Sequence, residues 1–184
     1  MNRDRSALCS DARNLDCCDN LAITVCHCGD YTVCVNGCNL RVSRFISYIE
    51  LSKYLKNKSE DVGKKNIDLM LKNIKELGFN EVIVQVRSFC DAIYPSKIFP
   101  WSSIISSEEG VPGSFDVLEY FLKKVHEEKI SFIAWINPYR VRSTADILSI
   151  SRKNPAYEHL NSDVVYVGEG IYLNPSKEFT HKLV

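Results

Sequence analysis

From Arg44 onward the hydrophobic spacing of this chain switches repeatedly between two periods, and that switching restricts the fold more than any other feature. "RFISYIEL" (44–51) reads as a short strand. "SEDVGKKNIDLMLKNIKELGF" (59–79) reads as a helix, because Ile67, Met70, Leu71, Ile74 and Leu77 recur at three- and four-residue steps. Ser59 or Asp61 can cap its start, and Gly78 suits a left-handed residue at its end. "NEVIVQV" (80–86) is a β-branched strand whose apolar run is nearly continuous, as expected when both faces are covered. After a long loop, Ser114 or Asp116 can cap a second helix with Leu118, Phe121, Leu122 and Val125 as its buried stripe. "ISFIAWIN" (130–137) is the next strand. Strand, helix, strand, helix, strand predicts an α/β fold with a parallel sheet and helical crossovers.

Parallel α/β proteins place their sites at the C-terminal ends of the strands, whether the sheet is open or closed into a barrel. Two loops therefore matter: "RSFCDAIYPSKIFPWSSIISSEEGVPG" after the second strand and "NPYRVRS" after the third. Period two puts Val82, Val84 and Val86 on one face and Ile83, Gln85 and Arg87 on the other. The second set turns polar where the strand ends, which suits a barrel interior opening into a site. The competing reading is a polar layer in which Arg87 pairs with a buried carboxylate. The third strand repeats the device, with Ile133, Trp135 and Asn137 on one face, then Tyr139 and Arg140. Asn and Arg supply directional hydrogen bonds, and Trp and Tyr supply flat apolar surfaces. A pyranose needs both. Gln85, Arg87, Tyr94, Trp101, Trp135, Asn137, Tyr139 and Arg140 are thus candidate ligand-binding residues, and Asp91 lies among them on the loop after the second strand. The plainer alternative for "WINPYR" is a core Trp followed by a proline turn.

Formal net charge is zero, so there is no basic excess to argue for nucleic acid or an anionic membrane surface. No run approaches the length of a membrane span, and residues 1–16 have no apolar core of a secretory signal. As written, the chain is expected in the cytoplasm. Neither a phosphate-binding nor a dinucleotide-binding glycine pattern is present, and no cofactor or metal is expected. Seven of the eight cysteines lie before residue 40, from Cys9 to Cys38, and only Cys90 lies beyond. Their spacing matches no familiar zinc pattern, and "CHC" (26–28) is too tight for a standard finger. Residues 1–40 are read as a separate, cysteine-rich leader without regular structure. A metal-binding or redox segment and a disulfide-bonded cap are its alternatives.

"ISYIEL", "LGFNEVIVQVRSFCDAIYPSKIFPWS", "FDVLEYFLKKVHEEKISFIAWINPYRV" and "YLNPSKE" together resemble the glycosyl hydrolase-like 10 family, over residues 44–184. The resemblance implies a bacterial (β/α)-barrel domain, often exported or in the cell envelope, associated with hydrolysis of O-glycosidic bonds in cell-wall-type glycans. The family usually has Trp at Phe45 and Pro at Ser88. A complete eight-stranded barrel takes about 250 residues, so about 140 matching residues with three strands correspond to roughly its first half. "VVYVGEGIYLNP" (164–175) is expected to be a hairpin turning at Gly168–Gly170, not a fourth barrel strand. Glycoside hydrolysis usually needs two carboxyl groups. Glu50, at the end of the first strand, and the solvated Glu108 and Glu109 are weaker candidates than Asp91. The chain is therefore expected to carry substrate-orienting residues, to lack at least one catalytic carboxylate, and to be inactive alone. Open sheet edges imply self-association. A non-catalytic carbohydrate-binding remnant is the first alternative, and a cysteine-rich metal or redox module the second.

Overall fold

The computed structural model describes residues 24–28, 31–36 and 39–184 of the protein. Its main sheet has five strands in the order β1 (Thr24–Cys28), β2 (Tyr31–Asn36), β3 (Asn39–Ile46), β4 (Glu81–Arg87) and β5 (Ser131–Ile136). β1, β2 and β3 pair antiparallel, whereas β3, β4 and β5 run parallel, with Ile46 opposite Val84 and Val84 opposite Ala134. The parallel part is the expected βαβαβ unit. Residues 24–28 and 31–36, expected to lack regular structure, are strands; their Thr and Val residues suit a ladder. The rest of the expected leader, and the side chains of its cysteines, lie outside the described residues.

The first strand ends earlier than its apolar run suggests. Tyr48–Leu55 is a helix, α1, not the continuation of a strand to Leu51. Ser47 is its N-cap, and the Glu50 carboxylate accepts the Ser47 backbone N–H at 3.3 Å. That is half of an S-x-x-E capping arrangement, legible at Ser47–Glu50 but outweighed by the apolar run around it. Leu51 and Leu55, one turn apart, bury the inner side of α1. Glu50 is therefore a first-turn helix residue rather than a strand end, and it also bonds Arg44 at 2.7 Å.

α2 (Glu60–Glu76) and α3 (Val117–Glu127) are the crossovers. Ile67, Leu71 and Ile74 of α2 and Val117, Phe121 and Val125 of α3 pack with Val82, Val84 and Val86 of β4 in one core. Each such side chain contributes about 1.5–3 kcal/mol by leaving water. Leu77 is 65% exposed, because α2 stops at Glu76 and Gly78 takes φ +83° immediately after. Asp116 caps α3 by accepting the Glu119 N–H at 3.0 Å.

α2 and α3 cover only one face of the parallel strands. On the other face Ile83 and Trp135 are half-buried and Ile133 is 40% exposed. β5 is an edge strand: no described segment pairs with its far side. The sheet is open, and no barrel closes among the described residues. Beyond β5 a small antiparallel sheet forms in the order β6 (Arg140–Arg142), β8 (Gly170–Leu173) and β7 (Val164–Val167). β7 and β8 are the expected hairpin, with Gly168 at φ +57° in its turn. A last helix, α4 (Glu178–Leu183), follows. A second core of Ala92, Phe99, Val141, Ile150, Ile171 and Leu173 joins this sheet to the loop after β4.

Candidate functional site

The C-terminal ends of β3, β4 and β5 converge with the start of α1 and the loop after β4. Gln85, on the face of β4 away from α2 and α3, is 2% exposed because the start of α1 lies over it, and its Oε1 accepts the Tyr48 N–H at 3.0 Å. This bond fixes the first turn of α1 against β4. Asn137 continues β5: its N–H donates to the Arg87 carbonyl at 2.9 Å and its Nδ2 to the Ser88 carbonyl at 3.1 Å. The Trp135 indole N–H donates to Asn137 Oδ1 at 3.0 Å, and the Trp135 ring meets Phe45 edge-on at 6.1 Å. Gln85, Trp135 and Asn137 are thus brought together as a frame that locks two strand ends to each other.

Two guanidinium groups project from the ends of the same strands and the turn that follows, each over aromatic rings. Arg87 sits over Phe99, 4.3 Å from the ring centroid. Arg140 sits over Phe89 at 5.2 Å and Tyr48 at 5.8 Å, and these two rings meet edge-on at 5.2 Å. Neither arginine has a carboxylate partner among the described residues, and the buried Nε of each lacks an acceptor. Desolvated guanidinium beside aromatic faces is a strong donor set for a polar ligand with apolar faces. The alternative pairing of Arg87 with a buried carboxylate is not formed within the described residues. Phe89, Phe99 and Tyr48 were absent from the sequence-based set. Phe89 and Phe99 lie in the loop already singled out, but aromatic residues in a loop carry no periodic signal.

The other predicted residues sit elsewhere. Tyr94 and Trp101 are half-buried and pack on the main core. Trp101 bridges to Ala92 through the backbone, and the Ser102 N–H donates to the Ala92 carbonyl at 2.8 Å, folding the loop back on itself. Tyr139 is 42% exposed at the edge of the site, with its carbonyl accepting the Leu173 N–H at 2.7 Å.

Asp91 is fully buried behind this surface. Burial pushes its carboxyl up to about 6, opposed by the Ser102 hydroxyl and by Arg142, whose Nη1 is 4.0 Å away. Arg142 also pairs with Glu109 and donates to the Ser149 carbonyl at 2.7 Å. Asn154 Nδ2 donates to Glu109 Oε1 at 2.5 Å and to the Cys90 carbonyl at 3.0 Å. Glu109, expected to be solvated, is therefore buried in an ion pair, because Arg142 on β6 needs an anion at that depth. The Cys90 thiol is pushed up to about 12 by burial, against the pull of Arg87, which keeps it protonated and unreactive.

The family model described as "Glycosyl hydrolase-like 10" matches residues 46–183. Among curated proteins, the chain is 33% identical over 107 residues to "Glycosyl hydrolase YngK" of Bacillus subtilis (strain 168), covering 58% of this chain and 21% of that protein. It is 32% identical over 103 residues to "Glycosyl hydrolase DigH" of Escherichia coli (strain K12) and of Shigella flexneri, covering 56% of this chain and 22% of each. The chain thus spans about a fifth of the length of these relatives.

Proposed function

The chain belongs to the glycosyl hydrolase-like 10 family, and on that premise we propose that its strand-end face binds a bacterial cell-wall-type glycan. In this reading the chain forms the first βα units of a (β/α) barrel in a cell-envelope protein that hydrolyses O-glycosidic bonds. The observation that carries it is the pair of unpartnered guanidiniums, Arg87 and Arg140, laid on aromatic rings beside Trp135 and Asn137. Ring hydroxyls would accept from the arginines, and sugar C–H faces would lie on the aromatic surfaces.

Hydrolysis needs one carboxyl as general acid and another as nucleophile or base, about 5–10 Å apart. Glu50 caps α1 and pairs with Arg44, Glu109 pairs with Arg142, and Asp91 has no exposed surface. A carboxyl near 6 has the acidity of a general acid, but a group that cannot touch the substrate cannot deliver its proton. We therefore read Asp91 as a positioning residue that anchors the loop, and assign no catalytic pair to the described part of this strand-end face. The chain alone binds glycan without turning it over.

Titration of the purified chain with N-acetylglucosamine oligomers, followed by calorimetry, tests this. Trp135→Ala and Arg140→Ala should each weaken binding about tenfold, the loss expected of one stacking or charged contact. Unchanged affinity in both variants, with unchanged circular dichroism, would remove the site from this face. Turnover of glycan strands that disappears in Asp91→Asn would refute the binding-only reading.

A further inference from the structure

We propose that the cleft beside the strand ends is a subsite for an anionic sugar residue, one that carries a carboxylate or phosphate group. The proposal rests on the glycan reading above and adds charge to it. The cleft, of about 530 Å³, lies between α1 and the loops that follow β4 and β6. That volume falls in the range of small-molecule sites. One wall is made by Tyr48 and Phe89, the same two rings that carry the Arg140 guanidinium. The cleft and the strand-end site are therefore neighbours that share a wall.

Its lining has a consistent chemistry. Lys53, in the last turn of α1, and Lys56, just past its end, both line it, and neither is paired with any described carboxylate. Ser103 and Thr144 supply hydroxyl donors from the two loops. No carboxylate lines the cleft. Arg142 reaches it too, but its charge is already matched by Glu109. Glu108 and the buried Glu109 line an adjoining groove that shares Lys56 and Ser103. Two ammonium groups without a described carboxylate partner can donate to neutral sugar hydroxyls, but their charge is used in full only by an anion. They match an anion bonded by charge-assisted hydrogen bonds, while the rings take the sugar's apolar side.

The test uses the full chain at about 50 mM salt, where exposed charges are weakly screened. Calorimetry would compare an N-acetylglucosamine-type oligomer bearing one carboxylate with its carboxyl-reduced twin of equal length, and with a phosphorylated oligomer. The expected result is about five- to tenfold tighter binding of the carboxylated oligomer, the effect of two partly exposed ion pairs. A larger gain with phosphate would identify phosphate as the anion. The doubly substituted Lys53→Gln, Lys56→Gln protein should lose the gain and keep the twin's affinity. Both lysines are exposed, so the variant keeps its fold. Equal binding of the two twins, or a gain that survives in the double variant, overturns the subsite and leaves the glycan reading standing. Absence of binding by any oligomer overturns both.

Discussion

Replacing Asp91 by Asn should make the protein more stable at neutral pH, although Asp91 lies opposite an arginine. The carboxyl is fully buried, and the Ser102 hydroxyl offsets only part of the cost of burying its charge. Arg142 is 4.0 Å away and is already paired with Glu109. Burial therefore outweighs the attraction, and the carboxyl rises from its ordinary 3.8 to about 6. That gap corresponds to an ionisation cost of about 3 kcal/mol. An acid whose native value is raised binds more protons folded than unfolded between those two values. Its contribution to stability is fully present below about 3.8, is lost as pH rises through about 6, and is level above that. Asn cannot ionise, so the stability of Asp91→Asn minus that of the wild type should rise by about 2.5 kcal/mol between pH 4 and pH 7.5, part of the full difference having already appeared by pH 4. Urea unfolding, followed by the fluorescence of Trp101 and Trp135, measures this difference at each pH, and carboxylates common to both proteins cancel. A difference that stays flat would refute the reasoning. One that falls with pH would show that Arg142 holds Asp91 as a stabilised anion.

The same buried group gives a second prediction of opposite sign. Arg142→Met leaves Glu109 and Asp91 buried without a cation, and should cost about 3–5 kcal/mol by urea unfolding at pH 7.5. A loss under 1 kcal/mol would mean that the ion pair is neutral to stability. The open edge of β5 gives a third. Ile136 is 47% exposed there, and we propose that two copies pair through this edge. Sedimentation should show a mass that rises with concentration, and Ile136→Lys should hold the protein monomeric, since an edge charge blocks strand pairing. Concentration-independent sedimentation of the wild type would rule this out.

What the sequence makes legible here is what repeats. Val82, Val84 and Val86 alternate with Ile83, Gln85 and Arg87, and the structure puts the first set under the helices and the second on the open face. Ile67, Leu71 and Ile74 bury as their spacing requires. Where a local signal competes with the repeat, the reading fails. Ser47 and Glu50 start a helix inside an apolar run, because a satisfied first turn and the burial of Leu51 and Leu55 outweigh the β-branched neighbours. Contacts between residues far apart in the chain leave no local trace. Asn154 reaches Glu109 across 45 positions and the Cys90 carbonyl across 64, so the burial of Glu109 could not be read from the exposed-looking "SSEEG" around it.

The three arginines at the strand ends show how topology assigns chemistry to identical side chains. Arg87 and Arg140 leave their strands beside Phe99, Phe89 and Tyr48, where rings cover the guanidinium faces but supply no acceptor. Arg142 lies two residues after Arg140, in a strand where that step keeps the side chain on the same face. The register between β6 and β8 shifts between Arg140 and Arg142, however, and Arg142 ends near Asp91 and against Glu109. A buried guanidinium without an anion is costly, so the Arg142 position depends on its acids. The faces of Arg87 and Arg140 are stabilised by cation–π contact alone, worth about 0.5–2 kcal/mol each, which leaves most of their hydrogen-bonding capacity for a ligand. Loop anchoring thus falls to Arg142, the proposed recognition rests on the other two, and exchanging Arg142 for Lys should loosen the loop without touching the ring-stacked pair.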